Sequence, residues 1–222
     1  MTYVVAIDGP AGAGKSTIAK LVAKDLHAIY VDTGAMYRAM ALYMLRNGLT
    51  AKDSDRFGTM CQDADISIRF VDGVQTVFLN GENVNGLIRT EEVGNMASKV
   101  SANRMVREKL VDLQRKLAKG NDIVMDGRDI GTNVLPDAKP KIYLTASSEV
   151  RAKRRFEELK AKGENCDIAA IEQDIITRDH QDMTREISPL KQAEDAILVD
   201  SSDMSIEEVK DRIIAIVHDS NE

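Results

Sequence analysis

Tryptophan is missing from the chain, and the other aromatics are sparse: five tyrosines and four phenylalanines in 222 residues. A stacking platform for single-stranded nucleic acid is therefore not expected. An excess of basic charge is lacking too. The formal net charge is −6, so phosphates can be held only where arginines and lysines reverse the field locally, and general polyanion binding is not expected. The two cysteines, Cys61 and Cys166, stand in no CxxC or Cys/His cluster, which points away from structural zinc and toward a reducing, cytoplasmic compartment. No apolar stretch approaches ~18 residues, so a membrane-spanning helix is excluded. The N-terminal MTYVVAIDGP has no basic segment ahead of its short apolar run and reads as a strand, not a signal peptide. Internal repeats and low-complexity segments are also absent.

The remaining pattern alternates strand and helix. Compact apolar runs occur at Val4 to Ile7, Ile29 to Val31, Asp122 to Met125, Lys141 to Leu144 and Ala196 to Val199. Helical spacing separates them, for example Ile18, Leu21, Val22 and Leu26, then Ala35 to Asn47 closed by Gly48. This predicts an α/β fold with a five-stranded parallel sheet and helices on both faces. Ser205 with Glu208 has the form of a capping box opening the last helix. Two stretches break the rhythm. From Ile66 to Asn85 apolar and polar residues alternate, with hairpin-turn signals at Asp72-Gly73 and Asn80-Gly81, which predicts a small antiparallel insert. From Ser148 to Arg185 run two polar, arginine-rich helical patterns around Lys162-Gly163. The chain reads as one domain, with a core of 1–62, 120–147 and 186–222, an insert of 63–119 and a second, helical excursion of 148–185, which the resemblance given below implies is a lid.

Gly9-Pro10-Ala11-Gly12-Ala13-Gly14-Lys15-Ser16, followed by Thr17, satisfies the G-x4-G-K-[ST] pattern of a phosphate-binding loop. Phosphate oxygens must be met by a ring of backbone N–H groups, which bulky side chains would block, and the helix that follows points its positive end at the same oxygens. Lys15 can reach the β- and γ-phosphates and the Ser16 hydroxyl can ligate Mg²⁺. A GTPase would need an N/T-K-x-D base-reading motif, and the chain has none. A short chain with an arginine-rich second half suits a small-molecule kinase better than a motor ATPase.

Asp32-Thr-Gly-Ala-Met-Tyr-Arg38 follows the second strand and Asp126-Gly-Arg-Asp129 the third. Together with IDGPAGAGKST, DGRDIGT, ASSEVRAKRR and the R-D-x-x-D-x-x-R spacing of Arg178 to Arg185, they resemble the bacterial cytidylate kinase family of the nucleoside monophosphate kinase superfamily. The resemblance spans essentially the whole chain, including the 66–85 insert. Thr33 departs from it mildly, since serine is frequent there.

The resemblance implies a three-layer P-loop NTPase fold with an antiparallel monophosphate-binding insert and an arginine-rich helical lid. It further implies transfer of the γ-phosphoryl group of ATP to CMP or dCMP with Mg²⁺, in pyrimidine nucleotide metabolism, by a monomer with no nucleic-acid or membrane partner. Arg38 and Arg128 would clamp the acceptor phosphate, a bidentate task for a planar guanidinium. Position just beyond the carboxyl end of a parallel strand favours that over a surface ion pair. Asp126 would hold the magnesium hydration shell; a helix N-cap is the other reading. Asp129 would accept from the cytosine amine, and Thr33, Ser98 and Arg107 would complete the acceptor pocket. Arg178, Asp182 and Arg185 share one helical face and would address the ribose and acceptor nucleotide, or else form a surface ion-pair row. Arg151, Arg154 and Arg155 would close over the phosphates, with Lys15 and Arg128, as the catalytic cations. The rivals are another small kinase, acting on UMP, AMP or a small alcohol, and a non-catalytic ATP-sensing module.

Overall fold

A computed structural model describes residues 3–71 and 74–220. Its elements follow in chain order as β1 (Val4–Asp8), α1 (Lys15–Asp25), β2 (Ile29–Asp32), α2 (Thr33–Arg46), a short α3 (Phe57–Met60), β3 (Ile66–Val71), β4 (Val74–Leu79) and β5 (Glu82–Asn83). Then come α4 (Glu91–Val100), α5 (Arg104–Ala118), β6 (Ile123–Gly127), β7 (Lys141–Thr145), α6 (Ser148–Ala161), α7 (Ile168–Thr184), β8 (Ile197–Asp200) and α8 (Ile206–Asp219). A single π turn, Ile130–Val134, follows β6.

Five strands form one parallel sheet in the order β2-β6-β1-β7-β8. Both faces are covered, so the inner strands are apolar throughout and alternate only in which core they enter. Val5, Ile7, Val124, Ile142 and Leu144 pack with Ile18, Val22, Val209 and Ile213 from α1 and α8. Ala6, Ile123 and Met125 pack on the opposite face with Met36 and Met40 of α2 and Val106 and Leu110 of α5. The result is three layers, helix on sheet on helix. Because β1 stands between β6 and β7, the chain crosses over it, and the crevice at the carboxyl ends of these three strands is where such sheets bind ligands.

The helix starts are fixed locally. Asp32 Oδ1 accepts from the Ala35 N–H at 2.9 Å, so α2 begins at Thr33, two residues before its apolar spacing becomes visible. Thr90, Asn103, Ser147 and Asp167 cap α4 to α7, and the Ser205–Glu208 capping box opens α8. The antiparallel insert is the three-stranded sheet β3-β4-β5, registered Ile66 to Leu79 and Leu79 to Glu82. Asn80 (φ 49°) and Gly81 (φ 82°) make its second turn, both left-handed as a two-residue hairpin demands. The first turn, expected at Asp72-Gly73, lies outside the described residues. The Gln75 amide ties the insert to the main sheet: it accepts from the Asp32 N–H at 2.8 Å and donates to the Asp32 carbonyl at 3.2 Å.

Candidate active site

The glycine-rich loop leaves β1 and re-enters the fold as α1. A Cβ at Gly9 would stand 1.9 Å from the Leu144 carbonyl oxygen, so only glycine lets the loop turn this close to β7. Gly14, at φ 84°, takes the left-handed conformation directly ahead of α1. Lys15 is buried, and its ammonium donates to the Pro10 carbonyl at 2.7 Å. Burial, and after it the nearby Arg128 guanidinium, pull its pKa well below the ordinary lysine value.

At the end of β6 the buried Asp126 carboxylate takes two hydroxyl donors, Ser16 on Oδ2 at 2.9 Å and Tyr30 on Oδ1 at 3.0 Å. Burial, with Asp32 adding repulsion, raises its pKa. Ser16 and Asp126 thus form a small hard-oxygen pair beside the loop. No group of three or more acidic, histidine or cysteine ligands occurs among the described residues. A pair of oxygens fits Mg²⁺, which keeps several waters and takes its other ligands from substrate phosphates. Thr33 lies behind this pair, its hydroxyl donating to the Asp126 carbonyl at 2.8 Å.

Beyond β6 an alternating chain of charges runs across the crevice. Arg107 bonds Asp129; Arg185 stands 3.9 Å from Asp129 and 3.6 Å from Asp182; Asp182 accepts from Arg128 Nε at 2.9 Å. Three guanidiniums face two carboxylates, leaving a surplus positive charge. Arg38 reinforces it: burial first, then the charges of Arg89, Arg178 and Arg128, hold its pKa below the usual arginine value. The floor of this region holds two buried guanidinium donors without a hydrogen bond, Arg107 Nε and Arg185 Nη2, with the Tyr37 hydroxyl and the Gln114 amide buried beside them and facing each other. Buried donors of this kind are costly unless something meets them, and the Tyr37 phenol is pushed up to about 12 by burial.

The structure therefore brings Lys15, Ser16, Asp126, Arg38, Arg107, Arg128, Asp129, Asp182 and Arg185 to one crevice. Arg178 lies at its edge, donating to Asn95 at 3.2 Å and not to Asp182, while Ser98 meets Gln181 at 3.4 Å. The three arginines of α6 divide. Arg151 is buried against the loop, donating to Ala11 O at 2.9 Å and pairing with Asp179 at 2.7 Å. Arg154 turns to Ser201, and Arg155 to Glu158. These pairings lead to the β8–α8 connection and back into α6, not to the loop. Sequence reasoning missed Asp8, Tyr30, Tyr37, Arg89, Gln114 and Asp179. A strand-end carboxylate abutting the loop could have pointed to Asp8; Gln114, seven residues after Arg107 on the same helix, carried only its spacing.

Comparison with known proteins agrees along the whole chain. The family model described as Cytidylate kinase matches residues 5–219. A protein named cytidylate kinase from Caldicellulosiruptor bescii is 53% identical over 96% of this chain and 95% of its own. One from Pediococcus pentosaceus is 49% identical over 99% and 97%, and one from Listeria welshimeri 52% over 96% and 94%. Among solved structures, a gluconokinase from Sinorhizobium meliloti superposes with a TM-score of 0.52 at 11% identity, covering 98% of this chain and 92% of its own. A shikimate kinase from Bacteroides thetaiotaomicron gives 0.50 at 14%, covering 98% and 99%. At such identities the two structures bear on the fold alone.

Proposed function

This chain belongs to the cytidylate kinase family, and on that premise we propose that it transfers the γ-phosphoryl group of ATP to CMP or dCMP, yielding ADP and CDP or dCDP. It works with Mg²⁺ as a cytoplasmic monomer in pyrimidine nucleotide metabolism. The observation that carries the reading is the meeting, at the carboxyl ends of β1 and β6, of a phosphate loop with a crevice holding surplus guanidinium charge and unmet buried donors.

The loop N–H groups and Lys15 hold the β- and γ-phosphates, with phosphate oxygens replacing the Pro10 carbonyl as partner of the ammonium. Ser16, and Asp126 through water, would hold Mg²⁺, which when bound neutralises charge on the β- and γ-oxygens. Arg38 and Arg128 orient the acceptor phosphate. That phosphate has its second pKa at ≈ 6, so near neutrality it presents an ionised oxygen and no general base is required. Rate comes from positioning and charge neutralisation. Asp129 accepts from the cytosine amine, and Arg107 and Arg185 donate to its acceptor edge; uracil carries an oxygen where the amine stands. Thr33 and Ser98 border the acceptor, while Arg178 and Asp182 take the ribose. The α6–α7 pair forms a lid in which Arg151 meets the loop, and Arg154 and Arg155 swing in on closure.

A coupled ADP-release assay with CMP, dCMP, UMP and AMP tests this. CMP and dCMP should turn over, and UMP should be worse by about ten- to a hundredfold, as a buried donor–acceptor mismatch demands. Equal use of UMP would remove Asp129 from base reading, and a preference for AMP would overturn the assignment of the acceptor.

A further inference from the structure

We propose that Asp8 is a positioning residue that joins the root of the triphosphate loop to the root of the acceptor clamp and so sets the geometry between the two substrates. Asp8 ends β1 and directly precedes Gly9. Its buried carboxylate accepts from the Ile130 N–H at 2.8 Å on Oδ1 and from the Gly131 N–H at 2.7 Å on Oδ2. These N–H groups open the π turn after Arg128 and Asp129, where backbone donors have no partner within the turn.

The sheet ladder cannot do this work. Its last rung pairs Asp8 with Gly127, and from Arg128 onward the chain leaves β6. Asp8 thus takes over where strand pairing stops. A Cβ on Gly131 would stand 3.0 Å from Lys141 Cδ and in ordinary contact, 3.4 Å, with Asp8 Oδ2, so the carboxylate lies directly against the turn it holds. An asparagine at position 8 offers one acceptor and one donor, so one of the two N–H groups would face an amide N–H. The loop would then lose one of its two anchors to β1, and Arg128 and Asp129 would shift against the triphosphate. Asp8 itself touches neither substrate in this scheme.

The inference rests on the reading of Arg128 and Asp129 as acceptor contacts. Asp8→Asn should lower kcat with CMP by about thirty- to a hundredfold, since an in-line transfer tolerates little misplacement. The ATP dissociation constant, read by calorimetry without acceptor, should stay within about threefold because the loop's N–H groups are untouched. In an Arg128→Ala background, adding Asp8→Asn should cost less than about threefold more, because residues acting through one another are not additive. Should Asp8→Asn fold poorly, Asp8→Glu keeps both acceptors but displaces them by one methylene and should show the same fall in kcat at unchanged ATP affinity. Turnover within threefold of wild type, a parallel loss of ATP affinity, or fully multiplicative losses in the double variant would each overturn the role of Asp8. An Arg128→Ala enzyme with unchanged KM for CMP would instead sink the clamp reading itself.

Discussion

Asp129 and Arg107 are both largely buried and bonded to each other, with Asn133 adding a 3.0 Å bond to the carboxylate. Removing one partner leaves the other charged and buried. Asp129→Ala should therefore lose about 3 kcal/mol of folding stability as well as CMP use, and denaturant titration should show it. A midpoint equal to wild type would mean that the pair does not support the fold. Asp8 carries a different burden. Burial holds its carboxyl at about 6, above the ordinary 3.8, against the pull of its two backbone N–H donors. The folded chain thus binds this proton more tightly than the unfolded chain. The stabilisation is complete below about pH 4 and is lost as pH rises through about 6. From about pH 4 to about pH 7, wild type should lose up to ~3 kcal/mol relative to Asp8→Asn. Urea melts of the two proteins across that range check the slope, and a constant difference would contradict it. Lys15→Ala should abolish most turnover yet leave thermal stability near wild type, because a buried cation of depressed pKa stabilises the fold little. Near-normal turnover would defeat its role at the phosphates.

Among the elements, the strands of the parallel sheet were legible to within a residue or two, since each is a compact apolar run; the inner three are buried on both sides, while β8 at the edge is largely exposed. The start of α2 was not, because its cap falls within Asp32-Thr33-Gly34, which reads as loop chemistry. The insert was legible from alternation, but its attachment through Gln75 was not: a glutamine on a strand carries no sign of whose backbone its amide will meet. In the site, the loop glycines and Lys15 were legible from the loop motif, whereas the arginines were singled out by the family resemblance, Arg107 having no local signal of its own. The residues that hold them (Asp8, Tyr30, Asp179) depend on long-range folding, and no local pattern marks them. Helix α7 shows the cost of reading one face at a time. Asp179 pairs with Arg151 on the loop side and Asp182 with Arg128 on the acceptor side, three residues apart, so one helix grips both halves of the crevice. Asp179→Ala should loosen the first grip and raise ADP release without acceptor by about threefold relative to transfer, since water enters a poorly closed site. ADP release with and without CMP measures it, and an unchanged ratio would detach α7 from closure.

At the scale of the whole molecule, a chain of net charge −6 gathers Arg107, Arg128 and Arg185 into one crevice. The sheet that supports the crevice has two edges, β2 and β8. They are finished differently. On β2 the backbone N–H and carbonyl of Asp32 are both occupied by the Gln75 amide, which imitates a neighbouring strand and leaves that position nothing to offer another chain. On β8, Ile197 and Leu198 are exposed at 39% and 55%. An open, apolar edge invites intermolecular strand pairing. Polymerisation on heating or at high concentration should therefore begin at β8, and Leu198→Lys should delay the onset of light scattering by several degrees with little change in turnover, charge being the usual guard of an edge. Unchanged scattering would place the nucleating surface elsewhere. The glutamine that docks the insert thus also closes the Asp32 position of one sheet edge to strand pairing, a guard against self-association that β8 lacks in that form.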